Sequence, residues 1–140
     1  MGVENSGDEM GTDQPEPRWF IDLDWYGPNI RNFHILIEDC LCPDCRRRLG
    51  VEGGEVSAAE IISNIGECCS KLPGFITGDM PILESIFRSF LANGNQPLSL
   101  EELGRELSEW RGGDTYRTSS EILSRLLKNE RYYGIRRVTG

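Results

Sequence analysis

From residue 29 onward, apolar residues recur at intervals of three and four, the spacing that places side chains on one face of an α-helix. This pattern predicts a mainly α protein. In the first stripe, three consecutive apolar residues at 35–37 leave a strand over residues 33–37 as an alternative. The stripes are Ile30, Phe33, Leu36, Ile37 and Leu41; Ala58, Ile61, Ile62 and Ile65, continued by Cys68 and Cys69; Ile82, Leu83, Ile86, Phe87, Phe90 and Leu91; Leu100, Leu103, Leu107 and Trp110; and Ile122, Leu123, Leu126 and Leu127.

Three of the predicted helices begin with a capping box, in which a Ser or Thr is followed three residues later by Glu. The boxes start at Ser57, Ser99 and Thr118. Glycines near residues 94 and 112 follow the third and fourth stripes, where a helix is expected to end. After the last stripe, residues 132–138 predict a short strand.

The part of the chain before the first stripe has a different composition. Residues 1–17 are acidic and polar and contain almost nothing to bury, which predicts a disordered acidic tail. Residues 19–26 contain four aromatic side chains, which indicates packing because each ring buries about 150–250 Å². We therefore divide the chain into the tail, a small cysteine-rich helical region at 18–75 that binds a metal, and a C-terminal domain at 76–140.

The cysteines are spaced for a metal. Cys42 and Cys45 form a Cys-x-x-Cys pair, and Cys68 and Cys69 follow after 22 intervening residues, close to the spacing of zinc-ribbon halves. Zn²⁺ takes four thiolates in a tetrahedron, so these four cysteines are the predicted zinc ligands. Adjacent residues on a helix point about 100° apart, so the second pair can share one ion only where the helix ends.

Other interpretations of the cysteines stay open. Cys40 or His34 is a reserve ligand if one member of the second pair packs in the core instead. An iron–sulfur cluster also takes thiolates, and a redox dithiol at the Cys-x-x-Cys pair is a third possibility. The three arginines at 46–48 are expected to offset the negative charge of a four-thiolate site.

The order of elements from Pro81 to Val138 is helix, extended link, helix, glycine-rich turn, helix and strand. With Pro-Leu-Ser-Leu-Glu-Glu-Leu before the second helix and Tyr-Gly-Ile-Arg-Arg-Val after the third, it resembles a winged helix-turn-helix domain. The resemblance implies that the third helix reads the DNA major groove, although the chain after it is too short for a two-stranded wing. The implied nucleic-acid-binding residues are Arg117, Ser120, Ser124, Arg125, Lys128, Arg136 and Arg137. The whole chain also resembles uncharacterised bacterial proteins with a cysteine-rich first half, which implies no activity.

The net charge of −8 is unevenly distributed, because residues 105–140 contain 8 basic and 5 acidic side chains. An acidic protein can still present a basic face to nucleic acid. We therefore predict a metal-stabilised, transcription-regulator-like protein that binds double-stranded DNA. The alternatives are a protein–protein adaptor with a purely structural zinc site, and an iron–sulfur or redox sensor.

The sequence does not predict an enzyme, a secreted protein or a membrane protein. The glycine-rich residues 50–55 lack the lysine of a phosphate-binding loop, so we do not expect an enzyme. No apolar stretch approaches the length of about 20 residues that spans a bilayer, and the first residues lack a signal-peptide core. In the absence of these signals, clustered cysteines predict that the protein is located in the reducing cytoplasm.

Overall fold

A computed structural model describes residues 17–49, 57–112 and 118–138. The protein is mainly helical, as the spacing of apolar residues predicts, with a small three-stranded sheet. In chain order the elements are β1 (Arg18–Ile21), α1 (Leu23–Tyr26), α2 (Ile30–Glu38), α3 (Pro43–Leu49), α4 (Ala58–Glu67), α5 (Ile82–Ala92), β2 (Leu98–Ser99), α6 (Leu100–Trp110), α7 (Ser120–Lys128) and β3 (Ile135–Arg137), with 3-10 helices at Gly27–Asn29 and Cys69–Lys71.

Local sequence signals account for several of these helices. The stripe that left a strand open at residues 33–37 forms α2, so the strand alternative is wrong. At the start of α6 the capping box is complete: Ser99 Oγ accepts a hydrogen bond from the Glu102 N–H at 3.2 Å, and Glu102 Oε1 accepts one from the Ser99 N–H at 2.9 Å. Ser57 likewise accepts from the N–H of Glu60 at the start of α4.

The start of α7 corrects the third predicted capping box. The residue that caps this helix is Ser119, whose Oγ accepts from the Ile122 N–H at 3.4 Å, and not Thr118. Thr118 is buried against α6, where a Cβ added to Gly104 would lie only 2.5 Å from the Thr118 carbonyl oxygen. The close approach of α6 places residue 118 in the interhelical contact, so the helix begins one residue later.

Strand β1 is the centre of the sheet, and the sequence analysis did not predict it. It pairs antiparallel with β2, with Arg18 opposite Ser99, and antiparallel with β3, with Ile21 opposite Ile135. The strand predicted at 132–138 exists but is shorter. Residues from both sides of position 75 therefore form one sheet, while the predicted division into domains at that position stays a prediction.

Side chains extend the contacts of β1 beyond its backbone pairing. Asn95, with φ of 61°, accepts a hydrogen bond from the Ile21 N–H and donates one to the Ile21 carbonyl, both at 2.9 Å. Its amide thus takes the place of a strand partner at residues that precede β2. Arg18 at the other end of β1 forms an ion pair with Glu102 at 2.8 Å. These contacts hold β1 to the residues on both sides of β2.

The helices pack in sequence, α4 against α5, α5 against α6 and α6 against α7. Their buried side chains form one apolar cluster that also includes three of the five cysteines, Cys40, Cys45 and Cys69. The cysteine region is therefore continuous with the core. Of the helices in the described ranges, none combines the length and apolar composition needed to cross a membrane.

Candidate metal centre

The sulfur atoms of Cys42, Cys45, Cys68 and Cys69 all lie within 4.8 Å of one another. Two of them, Cys42 Sγ and Cys68 Sγ, are 3.8 Å apart. With Zn–S bonds of about 2.3 Å, the edge of a tetrahedral four-thiolate site is about 3.8 Å. These four side chains can therefore hold one metal ion between them.

The first pair is positioned by the start of α3. Pro43 is the first residue of this helix, a position that suits proline because its fixed φ is helical and its missing N–H has no partner to lose. Cys42 lies just before the helix and Cys45 in its first turn. One short helix start thus directs both thiols of the Cys-x-x-Cys pair to the same point.

The second pair, Cys68 and Cys69, lies where a helix ends, as two adjacent cysteines require in order to share one ion. Helix α4 ends at Glu67, and Cys68 has φ −128° and ψ −69°, outside helical values. Cys69 then begins a 3-10 helix. The break between the two helices turns the backbone, so that neighbouring thiols which would diverge on a continuous helix approach one site.

Donors around the cluster face the sulfurs. The N–H of Cys42 donates to Cys69 Sγ at 3.2 Å, and Arg48 donates to Cys45 Sγ at 3.1 Å. The side-chain oxygen of Asn64 in α4 accepts a hydrogen bond from the same guanidinium at 3.1 Å. Arg46 instead donates to the Glu38 carbonyl, and Arg47 pairs with Asp44. Of the three arginines expected to offset thiolate charge, only Arg48 contacts a sulfur in this arrangement.

The pKa values of the thiols show that the cluster disfavours several thiolates when no metal ion is bound. A hydrogen bond from the backbone of Cys45 lowers the pKa of Cys42 to about 7. Hydrogen bonds with Cys45 and Cys42 raise the pKa of Cys68 to about 11, and burial raises the pKa values of Cys45 and Cys69. One pKa is lowered and three are raised, so a bound cation, which replaces thiol protons, would favour the ionised form of all four cysteines.

The two reserve ligands have other partners. The Cys40 thiol is buried and donates to the Leu36 carbonyl at 3.8 Å, and burial raises its pKa to about 11. His34 Nδ1 lies 3.1 Å from the Ile30 carbonyl, and its ring packs edge-on to Phe33. Neither belongs to the group of four sulfurs.

Arg88 of α5 connects the two chain segments that carry the cysteine pairs. Its guanidinium donates to the Phe75 carbonyl at 3.1 Å and to the Asp39 carbonyl at 3.3 Å, and it lies over the Phe75 ring. Asp39 precedes the first pair and Phe75 follows the second. The two halves of the centre are thus joined through α5 independently of a metal.

Arg117, one of the residues predicted to contact nucleic acid, lies outside the described residues. The others lie mainly on the surface. Ser120 and Arg125 are exposed on α7, and Ser124 is half-buried. Arg125 forms an exposed ion pair with Glu121 at 3.7 Å. Lys128, Arg136 and Arg137 line an open groove of about 450 Å³ at the end of α7 and along β3.

Arg131, which the sequence analysis did not single out, also lines this groove. We call it the basic groove, defined by Lys128, Arg131, Arg136 and Arg137. Its carboxylates are engaged: Asp22 accepts from the Asp24 N–H, and buried Glu130 accepts from the N–H groups of Tyr132, Tyr133 and Ile135. None of the four cations forms an ion pair with another described residue.

A second groove adjoins the first. It has a volume of about 620 Å³ and shares Arg131 with the basic groove. We call it the aromatic groove. The remaining residues that line it are Trp25, Tyr26, Asn29, Asn32, Ile35, Leu36 and Tyr132. The sequence signal that could have indicated it is the cluster Arg-Tyr-Tyr at 131–133, although its partner residues are more than 90 positions away in the chain.

Comparisons of the chain with profiles of known protein families, with curated protein sequences and with solved structures find no match in any of the three.

Proposed function

We propose that this chain is a zinc-stabilised nucleic-acid-binding protein, with a winged-helix-like arrangement of its C-terminal part. The observation that carries the proposal is the basic groove, in which four cations that pair with no acidic residue of the described ranges surround an opening whose carboxylates accept hydrogen bonds from backbone amides. Phosphate contacts by Lys and Arg supply most of the affinity of a protein for nucleic acid. The proposed role is binding, not catalysis, in the reducing cytoplasm.

The sheet supports the winged-helix part of the proposal. Among the residues described after α7, β3 is the strand, and β1 pairs with it antiparallel and provides a second strand beside Arg136 and Arg137. Helix α7, with Ser120 exposed in its first turn, is the proposed major-groove helix.

Zinc is the proposed ion because four thiolates and no open position are typical of structural zinc sites. The compactness of the sulfur cluster favours one ion over an iron–sulfur cluster, whose ligands bind different iron atoms and so lie farther apart. Its proposed role is structural, fastening the start of α3 to the end of α4. Elemental analysis with an absorption spectrum tests this: we expect about one zinc per chain and no visible absorption.

The binding proposal is tested by charge reversal on α7. We expect the double variant Arg125→Glu with Lys128→Glu to bind a blunt DNA duplex at least about tenfold more weakly, because both side chains are exposed and each can contact phosphate. Zinc content and the thermal transition should not change. Unchanged affinity would show that α7 is not the DNA-reading helix.

A protein–protein adaptor is the second candidate, and the aromatic groove favours it. Trp25, Ile35 and Tyr132 are large apolar side chains that remain 38%, 59% and 65% exposed. Such patches often mark partner surfaces. The two candidates differ in salt dependence: binding through phosphates weakens steeply as salt rises, whereas an adaptor would bind no duplex even at low salt.

A further inference from the structure

The arrangement of the two grooves carries more information than either groove alone. Arg131 lines both, so the basic groove, whose cations pair with no described acidic residue, and the aromatic groove, with its exposed rings, share one lining side chain. We infer that the surface formed by the two grooves binds a single-stranded segment of nucleic acid, with phosphates in the basic groove and bases against Trp25 and Tyr132. This inference rests on the proposed function and adds a single strand to the duplex ligand proposed there.

The exposed rings distinguish a single strand from a duplex. In a duplex the faces of the bases are stacked on one another, and only their edges are accessible in the grooves. An aromatic side chain on the protein surface stacks readily on an unpaired base, whereas within a duplex it must first separate two stacked base pairs, which costs stacking energy. Tyr132, 65% exposed, and Trp25, 38% exposed, offer such surfaces beside the cations.

Both rings are held in place by the fold. The Trp25 ring packs edge-on to Tyr26 at 5.1 Å between centroids, and the Tyr132 ring packs edge-on to Tyr133 at 4.9 Å. A Cβ added to Gly134 would lie 2.9 Å from Cε3 of Trp25, so the indole sits close against the backbone at this position, where φ is +72°. Rings already fixed lose little conformational freedom when a base stacks on them.

The polar residues of the aromatic groove also suit a nucleobase. Asn29 and Asn32 line it beside Ile35 and Leu36. Their amides offer both donors and acceptors, which can pair with the edges of an unstacked base. An apolar peptide side chain would make no hydrogen bond to these exposed amides and would supply no counter-charge to the four adjacent cations.

The test compares two substitutions of Tyr132, one that removes the aromatic ring and one that keeps it. Fluorescence anisotropy measures binding of a labelled single strand of about 10 nucleotides and of a blunt duplex to the full-length wild-type protein and to Tyr132→Ala and Tyr132→Phe. We expect Tyr132→Ala to weaken single-strand binding about tenfold and to leave duplex binding unchanged, because only the single strand stacks on the ring. Tyr132→Phe keeps the ring and should bind like the wild type.

Two further measurements separate the possible failures. Thermal melting and zinc content show whether each variant folds. The variant Trp25→Leu removes the other exposed ring and so tests base stacking independently of Tyr132. If the wild type binds the duplex but the single strand is insensitive to both ring substitutions, the inference is wrong and the proposed function stands. If neither nucleic acid binds at low salt while an unstructured peptide does, both are wrong and the surface belongs to a protein partner.

Discussion

At the cysteine centre nearly every charged or polar group has a partner within the chain, whereas the cations of the basic groove form no ion pair with the part of the chain that the structure describes. Arg48 lies between a sulfur and Asn64, and Arg46 and Arg47 are engaged by a carbonyl and a carboxylate. Lys128, Arg131, Arg136 and Arg137 instead surround an opening whose acids already bind backbone amides. A region with its charges satisfied internally contributes stability, and one with charges left over contributes binding, so the two regions should respond differently to mutation.

The largest difference is expected between two cysteines close together in the chain. Cys42→Ser removes one of four sulfurs and should abolish stoichiometric zinc and lower the free energy of unfolding by more than about 3 kcal/mol, because a structural metal site contributes directly to folding. The measurements are elemental analysis and denaturant unfolding. Cys40→Ser is the matched control, since its thiol lies outside the cluster, and it should retain one zinc per chain. Equal zinc loss in both variants would contradict the assigned ligand set.

Charge reversal in the basic groove should affect binding and leave folding intact. Arg136→Glu with Arg137→Glu is expected to weaken nucleic-acid binding about 100-fold, since two phosphate contacts become repulsive. The control is Arg105→Glu, at an exposed position of α6 that does not line the groove, for which we expect a change of about threefold or less. Titrations at several salt concentrations should also give a shallower slope for the groove variant. Similar losses in both variants would mean that net charge, and not the groove, governs binding.

Arg48 tests whether the contacts around the sulfurs tune the metal. Arg48→Gln removes the cation that lies 3.1 Å from Cys45 Sγ, and we expect zinc affinity to fall about tenfold in competition with a chelator. Arg47→Gln, whose only described ion pair is with Asp44, should bind zinc like the wild type. Nucleic-acid affinity should be the same in both variants. An equal loss of zinc affinity in the two would assign the effect to general charge.

The smallest expected effect concerns Glu4, Asp8, Glu9, Asp13 and Glu16, acidic residues outside the described part of the chain. Replacing all five by their amides removes long-range repulsion of phosphate and should strengthen nucleic-acid binding about threefold at low salt. The gain should disappear at high salt, where the screening length is only a few ångströms. Zinc content should not change. A gain that persisted at high salt would indicate a direct contact.

Local signals in the sequence predicted α2 and α4 to α7, because each depends on nearby residues, but not the short helices α1 and α3. Ser99 and Glu102 satisfy each other's backbone groups within one turn, and their spacing is visible in the chain. Thr118 failed as a cap because its position is set by the close approach of Gly104 on another helix. Strand β1 was missed for a similar reason: its four residues form a strand only beside partners about 80 and 120 positions away.

The candidate site divides in the same way. The spacing of the cysteines indicated four sulfurs able to share an ion, and the structure brings those four together. The distinction between Arg48 and its two neighbours depends on where α4 presents Asn64, which no pattern in the sequence reports. The aromatic groove combines residues 25–36 with residues 131 and 132, and its lining depends on how the two segments pack together.

The antiparallel pairing of Trp19 with Arg137 also bears on how the chain folds during synthesis. β1 leaves the ribosome early, and more than a hundred residues must follow before its partner strand emerges. Contacts of such high sequence separation form late and slow the overall folding rate. The cysteine pairs and the helices up to α6 can assemble while translation continues, but the sheet closes only after Ile135 has been added.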